Sequence, residues 1–192
     1  AEGYFEDANR RISEGDREGA ILQLRNALQL NSNHAPSMLA LGKVLLETGK
    51  PTDAALILGD ALLVGVEPSQ VVPVLADAYL GSGQYANLLR QLDPQQGPAR
   101  LRAEIYAARA QAYLALGQAN QAAVMIRSAR ELEPGNYRLR VAEVTYQLQR
   151  EDLDVALELS AALVASVPTD TRSWSSHASV LHARGSLEEA AQ

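Results

Sequence analysis

Leu46-Glu47-Thr48-Gly49-Lys50-Pro51-Thr52-Asp53-Ala54-Ala55-Leu56-Ile57-Leu58-Gly59-Asp60-Ala61 is the stretch that decides the fold. An apolar residue stands three before a glycine, an alanine five after it, and a second alanine seven further on. The glycine ends one helix, because a residue without a Cβ takes left-handed backbone at little cost. Pro51 suits the first turn of the next helix, where its missing N–H has no helical partner to lose. Ala54 and Ala61 lie seven apart on one face, where two helices must approach closely.

The same pattern recurs at steps of 34. Gly15, Gly49, Gly83, Gly117, Glu151 and Gly185 align, five glycines in six places. Five residues on come Ala20, Ala54, Leu88, Ala122, Ala156 and Ala190, and seven beyond those Ala27, Ala61, Gln95, Ala129 and Leu163. Ile12, Leu46, Leu80, Leu114, Leu148 and His182 precede the glycine column as the apolar stripe of each first helix. Pro68, Pro134 and Pro168 punctuate the ends of second helices. The spacing predicts helix pairs over 2–14 with 17–31, 35–48 with 51–65, 69–82 with 85–92, 98–116 with 119–132, and 136–149 with 152–166. A last helix over 170–184 and a stub from 187 complete the series. One pair cannot bury its apolar face alone, but stacked pairs can.

Small or aromatic residues fill unit positions 4, 8 and 11: Tyr4, Ala8, Gly42, Tyr79, Tyr106, Ala110, Tyr113, Trp174 and Ala178. With the glycine, alanine and proline columns, the chain resembles the tetratricopeptide repeat (TPR) family along its whole length. The resemblance implies an all-α fold, a right-handed superhelix of antiparallel helix pairs forming an α-α solenoid. It implies a single solenoid domain over 1–192, with units 1–34, 35–68, 69–102, 103–136 and 137–170 and the start of a sixth over 171–192. The fifth unit departs from the pattern, with Glu151 for glycine, Arg140 at an aromatic position and Leu163 for the second alanine. Tyr79, Tyr113 and Trp174 read as core residues, Trp174 partly exposed where a following unit would cover it.

The third unit is irregular. Its second helix runs into Asp93-Pro94-Gln95-Gln96-Gly97-Pro98, a strong break signal. A short helix, a loop and an early start of the next helix near Pro98 or Ala99 keep the 34-residue register.

Composition narrows the function. The 192 residues carry a formal net charge of −6, with 47% hydrophobic and 21% charged residues. An acidic chain lacks the clustered cations that phosphate backbones require, so nucleic acid is not an expected partner. There is no cysteine, which excludes disulfides and thiol chemistry. No apolar run is long enough to span a bilayer. The chain is expected to be a piece of a longer protein, with a lipid anchor possible upstream. Fraying or self-association is expected at its C-terminal end.

No catalytic constellation stands out. His177 and His182 are five apart, unlike the i, i+4 pairs of zinc-binding helices. Gly81-Ser82-Gly83 follows a helix rather than a strand, so it reads as a helix–helix turn rather than a dinucleotide loop. Glu151, Asp152 and Asp154 lack the calcium-loop spacing and suit a helix start. The chain is read as a non-enzyme without cofactor or metal.

In TPR proteins, first-helix positions 2, 5, 9, 12 and 13 commonly face a concave groove. The resemblance therefore nominates Phe5, Asn9, Leu39, Lys43, Asp77, Glu104, Gln111, Arg138 and Thr145 as partner-binding residues, suited to a peptide or partner helix. The Lys/Asn arrangement that clamps a C-terminal carboxylate is absent, as is the position-6 asparagine ladder of sugar-transferring TPR enzymes. Ala20–Gln29, Leu62–Pro68, Val71–Ala76 and Gly83-Gln84-Tyr85 resemble a narrower group, the PrsT-type TPR lipoproteins of exosortase (PEP-CTERM) protein sorting and exopolysaccharide production. That resemblance implies a scaffold in the bacterial periplasm or envelope. A cytoplasmic TPR adaptor and the regulatory arm of an enzyme are the alternatives.

Overall fold

The computed structural model describes residues 1–185. Among them are eleven α-helices and no strand. The chain divides into two compact units, Ala1–Leu92 and Asp93–Gln192.

The first unit holds α1 (Glu2–Glu14), α2 (Arg17–Leu30), α3 (Ala35–Glu47), α4 (Pro51–Leu63), α5 (Pro68–Gly81) and α6 (Tyr85–Gln91). The second holds α7 (Ala99–Ala115), α8 (Ala119–Leu132), α9 (Tyr137–Gln149), α10 (Leu153–Ser166) and α11 (Thr171–Ala183). Every predicted helix in this range is present with bounds within two residues. The stub from 187, and the self-association expected at that end, lie outside the described residues.

The turns show why the glycine column exists. At Gly49 (φ 72°) the Gly49 N–H donates to Leu46 O and the Lys50 N–H to Leu45 O, at 3.1 and 2.8 Å. These two bonds occupy carbonyls that a helix end leaves without partners, and they need left-handed backbone. Glu151 makes the same pair of bonds, from its own N–H to Leu148 O and from Asp152 N–H to Gln147 O, at φ 60°. It is the one non-glycine with positive φ among the described residues, so the fifth unit keeps the turn against its side chain.

Packing follows the alanine columns. Ala20, Ala27, Ala54, Ala61, Ala122, Ala129 and Ala156 are fully buried, as are Leu88 and Leu163 at the same repeat positions. Within the first unit each helix pair packs on the next through α2 with α3 and α4 with α5. At Gly42 a Cβ would stand 2.5 Å from the Leu58 side chain, so Leu58 of α4 packs directly onto the backbone of α3 there. In the second unit, Ala107, Ala110, Leu114, Ala122, Ile126, Ala129, Leu139 and Ala142 form one cluster, with Tyr106 and Tyr113 packed against it. Tyr79 is buried, as read from sequence, whereas Trp174 is 50% exposed with its Nε1–H donating to Pro168 O at 2.8 Å.

The break between α6 and α7 folds as expected, with α7 beginning at Ala99. Asp93 accepts from the Gln95 N–H at 2.9 Å, and Gly97 takes φ 90°. Arg102 Nε donates back to Pro94 O at 3.0 Å, which ties the loop to the start of α7.

Candidate binding groove

In the first unit, α1, α3 and the start of α5 enclose a groove of about 450 Å³. Phe5, Ile12, Pro36, Leu39, Ala40 and Val44 give it an apolar floor, and Asn9, Lys43, Glu47 and Gln70 carry its polar groups. Four nominated residues, Phe5, Asn9, Leu39 and Lys43, therefore line one surface. Phe5 and Leu39 are half-buried, whereas Asn9, Lys43 and Gln70 are exposed. Asp77 sits half-buried on α5, outside the groove lining.

The groove wall is braced by residues the sequence reading passed over. The Phe5 ring meets His34 edge-on, with centroids 5.5 Å apart. His34 is held by Ser37 Oγ at 2.7 Å on Nδ1 and by Glu2 Oε2 at 3.1 Å on Nε2. A Ser–His–Glu series is the order of a nucleophile, base and orienting acid. Ser37 is fully buried in the first turn of α3, however, so no substrate carbonyl reaches its hydroxyl. The series fixes the end of α3 and the ring of Phe5.

Acid–base pairs brace the first helix pair and tie it to the second. Asp7 is held below its ordinary value by hydrogen bonds from Arg11 and then Arg10. Asp16 is lowered by the Gly19 N–H it caps at 2.9 Å and by Arg11. Arg17 donates to Glu47 at 2.6 Å and to Ile12 O, and Lys50 reaches Glu18 at 2.7 Å.

The second unit treats its nominated residues differently. Arg138, only 8% exposed, donates from Nε to Glu104 Oε1 at 2.6 Å and from Nη1 to Gln111 Oε1 at 3.2 Å. Asn136 Nδ2 completes the cluster on Glu104 Oε2 at 2.9 Å, while its own Oδ1 caps α9 at the Leu139 N–H. Glu104, Gln111 and Arg138 are thus brought together, but they satisfy one another. Thr145 turns its hydroxyl onto Val141 O of its own helix at 3.0 Å. The contact is a familiar outlet for a threonine inside a helix.

Comparing the two units exposes a column that sequence reading missed. His34 bonds Glu2, and Asn136 bonds Glu104, each pair 32 apart and each closing a repeat from its last position to its second. The signal was available as a polar residue beside each helix start with an acid at position 2.

Metal chemistry has no candidate: among the described residues no three His, Asp or Glu side chains cluster as a ligand set. His177 is instead engaged by the fully buried Ser160, Oγ to Nδ1 at 2.9 Å. No helix of the described residues is long and apolar enough to cross a membrane.

Comparison with known proteins fits the repeat. Residues 11–76 match the family model of the tetratricopeptide repeat. No curated protein matches the chain. Among solved structures, the chain is similar to a tetratricopeptide repeat protein from Parabacteroides merdae, at 18% identity and TM-score 0.63, covering 98% of this chain and 75% of that one. It is also similar to a thermophilic TPR protein of Thermus thermophilus, at 19% identity and TM-score 0.64, covering 94% and 98%. A third is YrrB, a TPR protein with an unusual peptide-binding site, at 19% identity and TM-score 0.59, covering 95% and 90%. At these identities the likeness establishes the fold, which is that of a TPR solenoid.

Proposed function

We propose that this chain is a protein-interaction scaffold that holds a segment of a partner in the groove of its first unit, and that it serves a protein-sorting and exopolysaccharide system of the bacterial envelope. The observation that carries the binding role is the groove itself. Its apolar floor stays open, and the side chains of Asn9, Lys43 and Gln70 have no hydrogen-bond or ionic partner among the described residues. A folded chain without a ligand gains nothing from holding amides and an ammonium beside apolar side chains, whereas a docked peptide would use both. That a structural neighbour is a TPR protein with a peptide-binding site agrees with this use. The repeat fold is a framework for recognition, and the nominated groups include no accessible nucleophile with a base. The envelope assignment rests on the resemblance of Ala20–Gln29, Leu62–Pro68 and Val71–Ala76 to the PrsT-type lipoproteins.

Two measurements test the two parts. Cross-linked capture from the source organism's envelope fraction should retain a protein on the parent chain and lose it on Leu39→Glu, with circular dichroism showing both folded. Equal retention by the two would remove the groove from the reading. Immunoblotting of separated cytosol and envelope should find the protein with the envelope, and a purely cytosolic signal would refute that assignment.

A further inference from the structure

We infer that the occupant of this groove is an extended peptide carrying a carboxylate beside a bulky apolar side chain, the carboxylate on Lys43 and the apolar group between Phe5 and Leu39. The inference rests on the groove being the binding surface, and three features of the lining specify the ligand.

The first is charge. Two charged residues line the groove, Lys43 and Glu47. Glu47 is already held by Arg17 Nε at 2.6 Å. Lys43 has no ion-pair partner among the described residues, whereas the chain's other lysine, Lys50, is engaged by Glu18. The groove therefore presents one uncompensated positive charge, although the chain as a whole is acidic at −6. A carboxylate is the complement.

The second is shape. Phe5 is fixed by its edge-on contact with His34, which Ser37 and Glu2 hold in turn. An aromatic wall that is already ordered costs little further entropy when an apolar side chain packs on it.

The third is the pair of primary amides. Asn9 on α1 and Gln70 on α5 each offer an N–H donor and a C=O acceptor. An extended backbone presents unpaired N–H and C=O groups that such amides can meet. A helical ligand keeps those groups within itself and would leave both amides facing side chains.

A random-peptide display library selected on the intact chain provides the ligand, and its most enriched peptide, fluorescently labelled, is titrated by anisotropy. The enriched peptides should share an Asp or Glu close to a Leu, Ile or Phe. Lys43→Glu should weaken binding by about tenfold or more, because attraction becomes repulsion. Exchanging the peptide's acid for lysine should restore binding to Lys43→Glu alone. Asn9→Ala combined with Gln70→Ala should weaken it by roughly fivefold, two modest hydrogen bonds' worth. Leu39→Glu should abolish it.

If Leu39→Glu abolishes binding while Lys43→Glu and the amide variants do not, the groove remains the site and the acidic extended ligand is overturned. If none of the variants changes the affinity, or selection enriches nothing, both the ligand and the groove reading fall. A bound peptide whose NMR couplings are helical overturns the extended conformation.

Discussion

Equivalent repeat positions do opposite work in the two units. In the first, Asn9 and Lys43 stand at the ninth position of their repeats, exposed beside an apolar floor and with side chains that have no partner among the described residues. In the second, Gln111 at the same position is drawn into the buried cluster of Arg138, Glu104 and Asn136, and Thr145 bonds its own helix. The difference starts at position 2. In the first unit that column reads Glu2, Pro36 and Gln70, with no cation to meet the acid, whereas Glu104 and Arg138 meet as an ion pair in the second. A long cation placed opposite an acid one repeat away collapses the surface into a strut, and the groups around it become its hydrogen-bond partners. A fold that repeats its backbone thus need not repeat its surface chemistry.

Breaking the strut is the strongest test of this contrast. Arg138→Ala should destabilise the chain by about 3 kcal/mol, since it leaves the Glu104 carboxylate, with only 16% of its side chain exposed, without its cation. Urea unfolding followed by circular dichroism measures it, and a cost under about 1 kcal/mol would mean that these residues are as dispensable to folding as a surface pair.

A smaller effect of opposite sign is expected at the fifth turn. Glu151→Gly should stabilise by about 1 kcal/mol, because the left-handed backbone now held at φ 60° suits glycine. The reverse change at the second repeat's turn, Gly49→Glu, should destabilise by about the same amount. Thermal melts of the pair would sharpen the comparison by separating turn strain from side-chain packing.

Acid should loosen the first hairpin locally. Asp7 and Asp16 both lie below the ordinary value of 3.8 in the folded chain. A group depressed in this way contributes stability above its unfolded value and loses it as pH falls through the lower, folded one. The contribution is therefore complete at neutral pH and fades below 3.8. Amide exchange at Gly19, the residue that Asp16 caps, should accelerate over that window. The start of α8, where Gln118 makes no side-chain capping bond, should not respond. Equal acceleration at both would show general acid unfolding instead.

The smallest expected effect is the most telling about the groove. Lys43→Ala and Asn9→Ala should each leave stability within about 0.5 kcal/mol of the parent, as exposed groups without partners do. A loss above about 1 kcal/mol in the same urea assay would show that they, like Arg138, serve the fold.

Helices and turns were legible in the sequence because their causes are local. A glycine that takes positive φ, an alanine that lets two backbones approach and a proline in a first turn act within a few residues, and repetition at 34 made each one visible several times. Glu151 was legible as an exception for the same reason. The groove lining was legible by family analogy for Phe5, Asn9, Leu39 and Lys43, and for Gln70 at position 2, but the bracing by His34 was not. The burial of Arg138 was not legible. In sequence it is one more arginine on a helix, and only placement opposite Glu104 turns it into a structural residue. Whether a polar side chain binds a partner or its own neighbour depends on pairs 27 to 34 residues apart, and a reading column by column does not see them.

The buried alanines have a consequence for how this protein should be dissected. Ala20, Ala27, Ala54, Ala61, Ala122, Ala129 and Ala156 set the distance between helices, and each is fully enclosed. An alanine scan passes over every one of them, so it would probe the surface and the buried leucines but miss the positions that set helix spacing. The informative experiment inverts the usual truncation: a scan that enlarges these positions to valine or leucine, each forcing helices apart at roughly 1–3 kcal/mol or more. Tolerance in such a scan would be read as slack between neighbouring helices, and intolerance as the places where their separation is fixed.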